Sequence, residues 1–277
     1  MDLSSLAANA QIFFLIFARV IAMLEIAPLF SSSGIPRIAR IGLAMLCAAI
    51  LLPQLRSIYT PVPDQALAYV LLLAGEALIG IITAFYLVII YGTFQVAGEF
   101  FSLQMGFGAS SVFDPLAQVE LPIMGQFFNI AAMFVFLSVS GFQKLFLTGV
   151  IGSFHAVRAV DFATFHSDFA ALFLSSLTHL FEQALIISMP ILGTLFLVEV
   201  VMGLLAKAAP QLNLLMLGFP LAIIVAFAMM LLALPMIMAF FGNVIEAGFS
   251  GLTNAFIHIE AGSTAAALHP AAGGTAP

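Results

Sequence analysis

Side chains able to do chemistry are scarce in this chain. The five histidines are His155, His166, His179, His258 and His269, and no two stand four residues apart as helical metal ligands would. The single cysteine, Cys47, lies in an apolar run; it reads as a small core residue and has no internal disulfide partner. The sequence holds no GxxxxGK[ST] phosphate loop, no GxGxxG, no HExxH and no CxxC. Asp114 is a carboxylate without a matching partner nearby in sequence. Catalytic residues, a bound metal and a cofactor are therefore all expected to be absent, and the chain does not read as an enzyme.

What remains is charge placed where charge is costly. Arg19 and Glu25 both fall in the apolar segment 12–30. A charge at the centre of a membrane helix costs about 2.5–3.5 kcal/mol on insertion scales, so such groups turn toward protein and find partners. Six residues place these two about 120° apart around a helix. They do not pair with each other, and each is expected to meet a neighbouring helix or subunit. Arg37 and Arg40 follow in SSSGIPRIAR, the densest basic patch. It reads as a docking site for acidic groups, an orientation signal, or a plain cytoplasmic loop. Glu76, Gly80 and Thr83 form a small, polar stripe at i, i+4, i+7, which lets helices approach closely. Gln95, Glu99 and Ser102 repeat that spacing. Lys207 stands eight residues after Glu199, about 80° round and 12 Å along, too far for a contact within one helix.

The stretch 104–122, QMGFGASSVFDPLAQVELP, is the longest weakly structured passage between apolar segments. Gly106 and Gly108 alternate with Met105 and Phe107, and Phe113 precedes Asp114-Pro115. Proline lacks a backbone N–H and biases the residue before it away from the helical region. Irregular backbone at membrane depth is tolerated only where protein buries it or it lines a watery cavity. The passage reads either as a flexible apolar stopper in a pathway or as a surface loop that contains two aromatics.

The elements that must position these residues are set by composition. The chain has 277 residues, 63% hydrophobic and 7% charged, with mean hydropathy +1.20. Soluble domains carry about 25% charged residues, so the solvent here is lipid or other protein. The net charge of −6 argues against nucleic acid. Residues 1–10 carry Asp2 and no base, which does not fit a cleavable signal peptide, so the N-terminus is expected to be retained. Residues 41–52 are apolar but span only about 18 Å, too short to cross about 30 Å of hydrocarbon unaided. A long helix is expected from Ala66 to Tyr91, continuing past Gly92. Residues 123–151 are interrupted at Gly141 and Lys144, and 153–168 return toward water. The longest helix is expected over 169–206, kinked at Pro190. After a tight connector at 208–220, a helix over 221–241 contains Pro235, an amphipathic helix follows over 243–260, and the tail from Gly262 is disordered. Loop bases leave orientation open. In a simple six-span arrangement Arg37, Arg40 and Lys207 share one side, with Arg56 and Arg158 on the other.

Four passages together resemble one family: ARVIAMLEIAPLFSSSGIPRIARIGLA, LQMGFGASSVFDP, FLSVSGFQKLF, and LLAKAAPQLNLLMLGFP. The chain is similar to the FliR family of type III protein export, whose virulence-system counterpart is SctT, in order from Arg19 to Pro220. Gly141-Phe142 departs from the family's more usual Gly-His. The resemblance implies an all-α, membrane-associated protein of kinked helical hairpins. It implies a FliP-like part over 1–168 and a FliQ-like part over 169–260, then a disordered tail over 261–277. It implies a hetero-oligomer with FliP-like and FliQ-like export-gate subunits, and contact with FlhB-like and FlhA-like components, unfolded export substrates and membrane lipid. The place implied is the cell inner membrane, multi-pass, in the flagellar basal body. Residues 104–120 would be the plug of the export channel. Met105, Phe107 and Phe113 would obstruct it, Gly106 and Gly108 would give it freedom, and Asp114-Pro115 would fix its base. Arg19, Glu25, Arg37, Arg40, Glu76, Glu99 and Lys207 would serve contacts between helices or subunits. The competing readings are a small-solute secondary transporter, which would want inverted repeats, and a structural scaffold that conducts nothing.

Overall fold

A computed structural model describes residues 3–31, 34–59, 62–63, 65–106, 123–157, 166–211 and 213–268. Most of these residues are helical, with no strand among them, as the composition and the apolar run lengths predict. The elements are α1 (Leu3–Ile26), α2 (Arg37–Leu55), α3 (Ala66–Gln104), α4 (Ile123–Ser138), α5 (Gly141–Lys144), a π-helix (Leu145–Gly152), α6 (Ser153–Ala156), α7 (His166–Ala208) and α8 (Leu214–Leu268). Five helices are long and apolar enough to cross a membrane, or six segments if the pair broken at 139–140 counts as one span. At the break Ser140 takes φ 57°, a left-handed conformation that stops α4.

Four sequence-based expectations are corrected. The short segment expected over 41–52 is a 19-residue helix, Arg37–Leu55, long enough to cross. Pro36, with its extended ψ of 142°, starts it, and Pro53 lies inside its last turn instead of ending it. The longest helix is α8, with 55 residues, not α7, with 43. The connector expected to reach Pro220 ends sooner, since α8 begins at Leu214 and continues through Pro220, Pro235 and the 242–243 junction. Proline removes one helical hydrogen bond. Ending the helix in an apolar surrounding would leave several backbone groups without partners, which is worse. The tail expected to be disordered from Gly262 is helical as far as Leu268.

At 1.5 Å per residue, the 39, 43 and 55 residues of α3, α7 and α8 measure about 58, 64 and 82 Å. Each exceeds the roughly 30 Å of a hydrocarbon core, so each helix has a part that need not contact lipid.

The chain forms two compact units, each drawn from separate stretches of sequence. The first contains 1–88, 142–175 and 247–277; the second contains 89–141 and 176–246. In the first, α1 buries Ile12, Leu15, Ile16, Arg19, Val20, Met23 and Leu24, one face at helical spacing. α2 buries Arg40, Ala44, Ala48, Leu51 and Leu55, again one stripe. In the second, Phe94 and Phe101 of α3 meet Phe128 of α4 and Phe241 of α8. The ring centroids are 4.4 Å apart for Phe94–Phe241, 5.3 Å for Phe101–Phe128 and 5.4 Å for Phe128–Phe241. α3 and α4 cross there in backbone contact. A Cβ on Gly98 would stand 2.6 Å from the Gly125 nitrogen, so no larger residue fits without separating the helices.

Candidate functional site

The first unit encloses a buried ion pair. Arg19 (α1) is 2% exposed and Glu76 (α3) 0%. Arg19 Nε donates to Glu76 Oε2 at 2.6 Å. Nη1 donates to the Ser153 carbonyl at 2.6 Å, and Nη2 to the Val157 carbonyl at 2.9 Å. The Arg19 Cζ lies 4.2 Å from the centroid of the Phe154 ring, in the range for a cation–π contact. One guanidinium thus ties α1 to α3 and to both ends of α6, where the Ser153 carbonyl also accepts from the Val157 N–H at 3.1 Å. The rigid, planar fork of the guanidinium holds the three acceptors in a fixed geometry that a compact ammonium on a flexible stem does not reproduce.

The close approach needed for this pair comes from the small, polar stripe. A Cβ at Gly80 would stand 2.3 Å from the Arg19 carbonyl oxygen. Thr83 turns its hydroxyl back to the Ile79 carbonyl at 2.9 Å, so it leaves no unpaired donor in the seam. Tyr59, buried between α2 and α3 in sequence, stands edge-on to Phe154 and faces Glu76. Burial, first of all, raises the phenol's pKa; the Glu76 charge pushes the same way and Arg19 opposes it, so the phenol stays neutral.

A second pair is half-open. Arg40 Nη1 donates to Glu25 Oε2 at 2.5 Å, joining α2 to α1, with the Glu25 side chain 40% exposed. Both arginines therefore meet carboxylates on other helices of the same chain, Arg19 with Glu76 and Arg40 with Glu25. Arg37 is exposed at the start of α2, and Lys207 is exposed in the last turn of α7. Glu99 accepts a hydrogen bond from Gln95 of its own helix at 3.0 Å.

The end of α3 leads into the Gly- and Phe-rich passage. Met105 is 1% exposed, part of the core of the second unit. Gly106 has φ +86°, which L side chains rarely adopt, and a Cβ there would stand 2.2 Å from Cδ1 of Phe219. The positive φ favours glycine at 106, and any larger residue would also have to displace the Phe219 ring. Phe107, Gly108, Phe113, Asp114 and Pro115 lie outside the described residues. The sequence reading missed Phe219, although the Gly218-Phe219-Pro220 motif marked the place. It also missed Tyr59, Phe154 and the carbonyls of Ser153 and Val157, for which no local spacing gives a signal.

Residues 10–248 match the family described as bacterial export proteins, family 1. The chain belongs to this family. Members of this export family similar to the chain include proteins named flagellar biosynthetic protein FliR. That of Bacillus subtilis is 32% identical over 245 residues, covering 87% of this chain and 93% of the relative. That of Borreliella burgdorferi is 31% identical over 240 residues, covering 86% and 88%. That of Escherichia coli is 27% identical over 230 residues, covering 83% and 87%. The FliR resemblance seen in the motifs thus extends over most of the chain, and the apolar helices make this export-family member a multi-pass membrane protein.

Proposed function

We propose that this chain is a core subunit of the type III export gate of the flagellar basal body, in the bacterial inner membrane. It forms part of the channel through which unfolded flagellar proteins cross. The observation that carries this reading is the match to flagellar FliR proteins along nearly the whole length of both chains. In this reading the chain joins FliP-like and FliQ-like subunits, with a FliP-like part over 1–168 and a FliQ-like part over 169–260. FlhA-like and FlhB-like components act beside it. The passage 104–122 is the plug, with Met105, Phe107 and Phe113 as its obstruction. The left-handed backbone at Gly106, φ +86°, supports a turn at the end of α3, where that passage begins. No nucleotide-binding motif occurs, so the energy for export comes from other components.

Two measurements test the reading. Native mass spectrometry of the tagged chain, co-expressed with its genomic neighbours in mild detergent, should give one copy within a large hetero-oligomer. A monomer or small homo-oligomer would instead favour a small-solute transporter. Deleting residues 107–113 should then make cells leaky to small ions while the complex still assembles. Unchanged permeability with an intact complex would leave a scaffold that has no plug.

A further inference from the structure

Glu199 is placed unlike the other acidic groups of the helices. Between Gln183 and Ala206 it is the only ionisable residue. It lies within the part of α7, 173–208, that is long and apolar enough to cross a membrane, about 13 Å along the axis from Ala208. Glu76 is buried against Arg19, and Glu182 on the same helix faces His179 at 3.3 Å. Glu199 is exposed, and it has no hydrogen-bond or ion-pair partner among the described residues. Phe196 and Val200 beside it are exposed, at 59% and 45%. One turn on, a Cβ added at Gly203 would meet nothing within 4 Å, so this face is open to the approach of another helix.

A carboxylate turned toward hydrocarbon is costly, and such groups pair with a cation or face protein. Among the described residues no cation of the chain pairs with Glu199. Arg19 and Arg40 are held by Glu76 and Glu25. Arg37 and Lys207 stand in the first and last turns of their helices. A second copy inserted the same way and packed in register would set Glu199 against Glu199, a like-charge contact. We propose that the face of α7 marked by Glu199 and Gly203 docks a membrane-spanning helix of a different protein, one that carries a Lys or Arg level with Glu199. Gly203 lets that helix come close, and the ion pair fixes its register. This rests on the export-gate reading, since it assumes a hetero-oligomer.

The test is a charge swap in the co-expressed complex, read by native mass spectrometry of the full chain. Glu199→Lys should cut recovery of one partner subunit by about tenfold, and Glu199→Gln by less. Glu182→Gln should leave it unchanged. The basic residues in the partner's apolar helices are then changed to Glu one at a time beside Glu199→Lys, and one of them should restore assembly. The swap keeps the test valid if Glu199→Lys alone lowers yield, because a misfolded chain is not rescued by a charge in another protein. Assembly of Glu199→Lys at the wild-type level would overturn the proposal and leave this face to lipid. Loss of assembly that no partner swap restores would overturn it as well. If the wild-type chain enters no complex, the export-gate reading fails first and the docking proposal with it.

Discussion

Replacing Arg19 by Ala leaves the Glu76 carboxylate buried without its cation, takes the guanidinium donor from the Val157 carbonyl, and takes one of two donors from the Ser153 carbonyl. Removing one partner of a buried pair costs about 3–5 kcal/mol. Arg19→Ala should therefore lower unfolding stability in detergent by that much. Arg19→Lys should fall between, because it keeps the charge but lacks the spread, rigid fork that reaches Glu76, Ser153 and Val157 together. Equal stability of Arg19→Ala and wild type would remove the pair from any structural role. Glu25→Ala should cost less than Arg19→Ala, since the Glu25 side chain is 40% exposed, but more than a surface pair, since it leaves the buried Arg40 without its carboxylate. Gly106→Ala faces two penalties: a left-handed backbone, about 1–2 kcal/mol, and the Phe219 ring. Adding Phe219→Ala should recover the second part and not the first, in the same unfolding measurement.

At the scale of elements, two kinds of glycine are distinguished by what surrounds them. Gly98 lies against the backbone of Gly125 where α3 and α4 cross, so Gly98→Val must push the helices apart. Overpacking of this kind costs about 1–3 kcal/mol. Gly42 in α2 has nothing within 4 Å of an added Cβ, so Gly42→Ala should be neutral or gain up to about 1 kcal/mol of helix propensity. Thermal unfolding of both variants separates them; a stable Gly98→Val would mean that α3 and α4 do not cross in contact. The persistence of α8 through Pro220 and Pro235 has the same element-level cause: its next best alternative is unpaired backbone in an apolar surrounding.

For the whole molecule, the question is how many times the chain crosses. If the pair broken at 139–140 spans as one, six crossings set Arg37 and Lys207 on one side. Single cysteines introduced at 37 and at 207, with Cys47→Ser as background, should then react with a membrane-impermeant maleimide from the same face. Cysteines at Ser57 and Arg158 should react from the other. Labelling of 37 and 207 from opposite faces would instead make the broken pair re-entrant, with five crossings.

The sequence by itself determined the class of environment and the kind of element. Composition and run length act locally, and they made this an all-helical membrane protein whose internal charges had to find partners off their own helix. The stripe Glu76, Gly80, Thr83 was legible as a close-packing seam for the same local reason, its helical period. Tertiary structure decided who the partners are. Arg19 reaches across 57 residues to Glu76, 134 to Ser153 and 138 to Val157, and no spacing rule within a helix encodes such distances. It also decided where helices end. Pro53, Pro220 and Pro235 each weaken a helix locally, yet surroundings that offer the freed backbone no water keep the helices going, and that is a property of the fold rather than of the neighbouring residues.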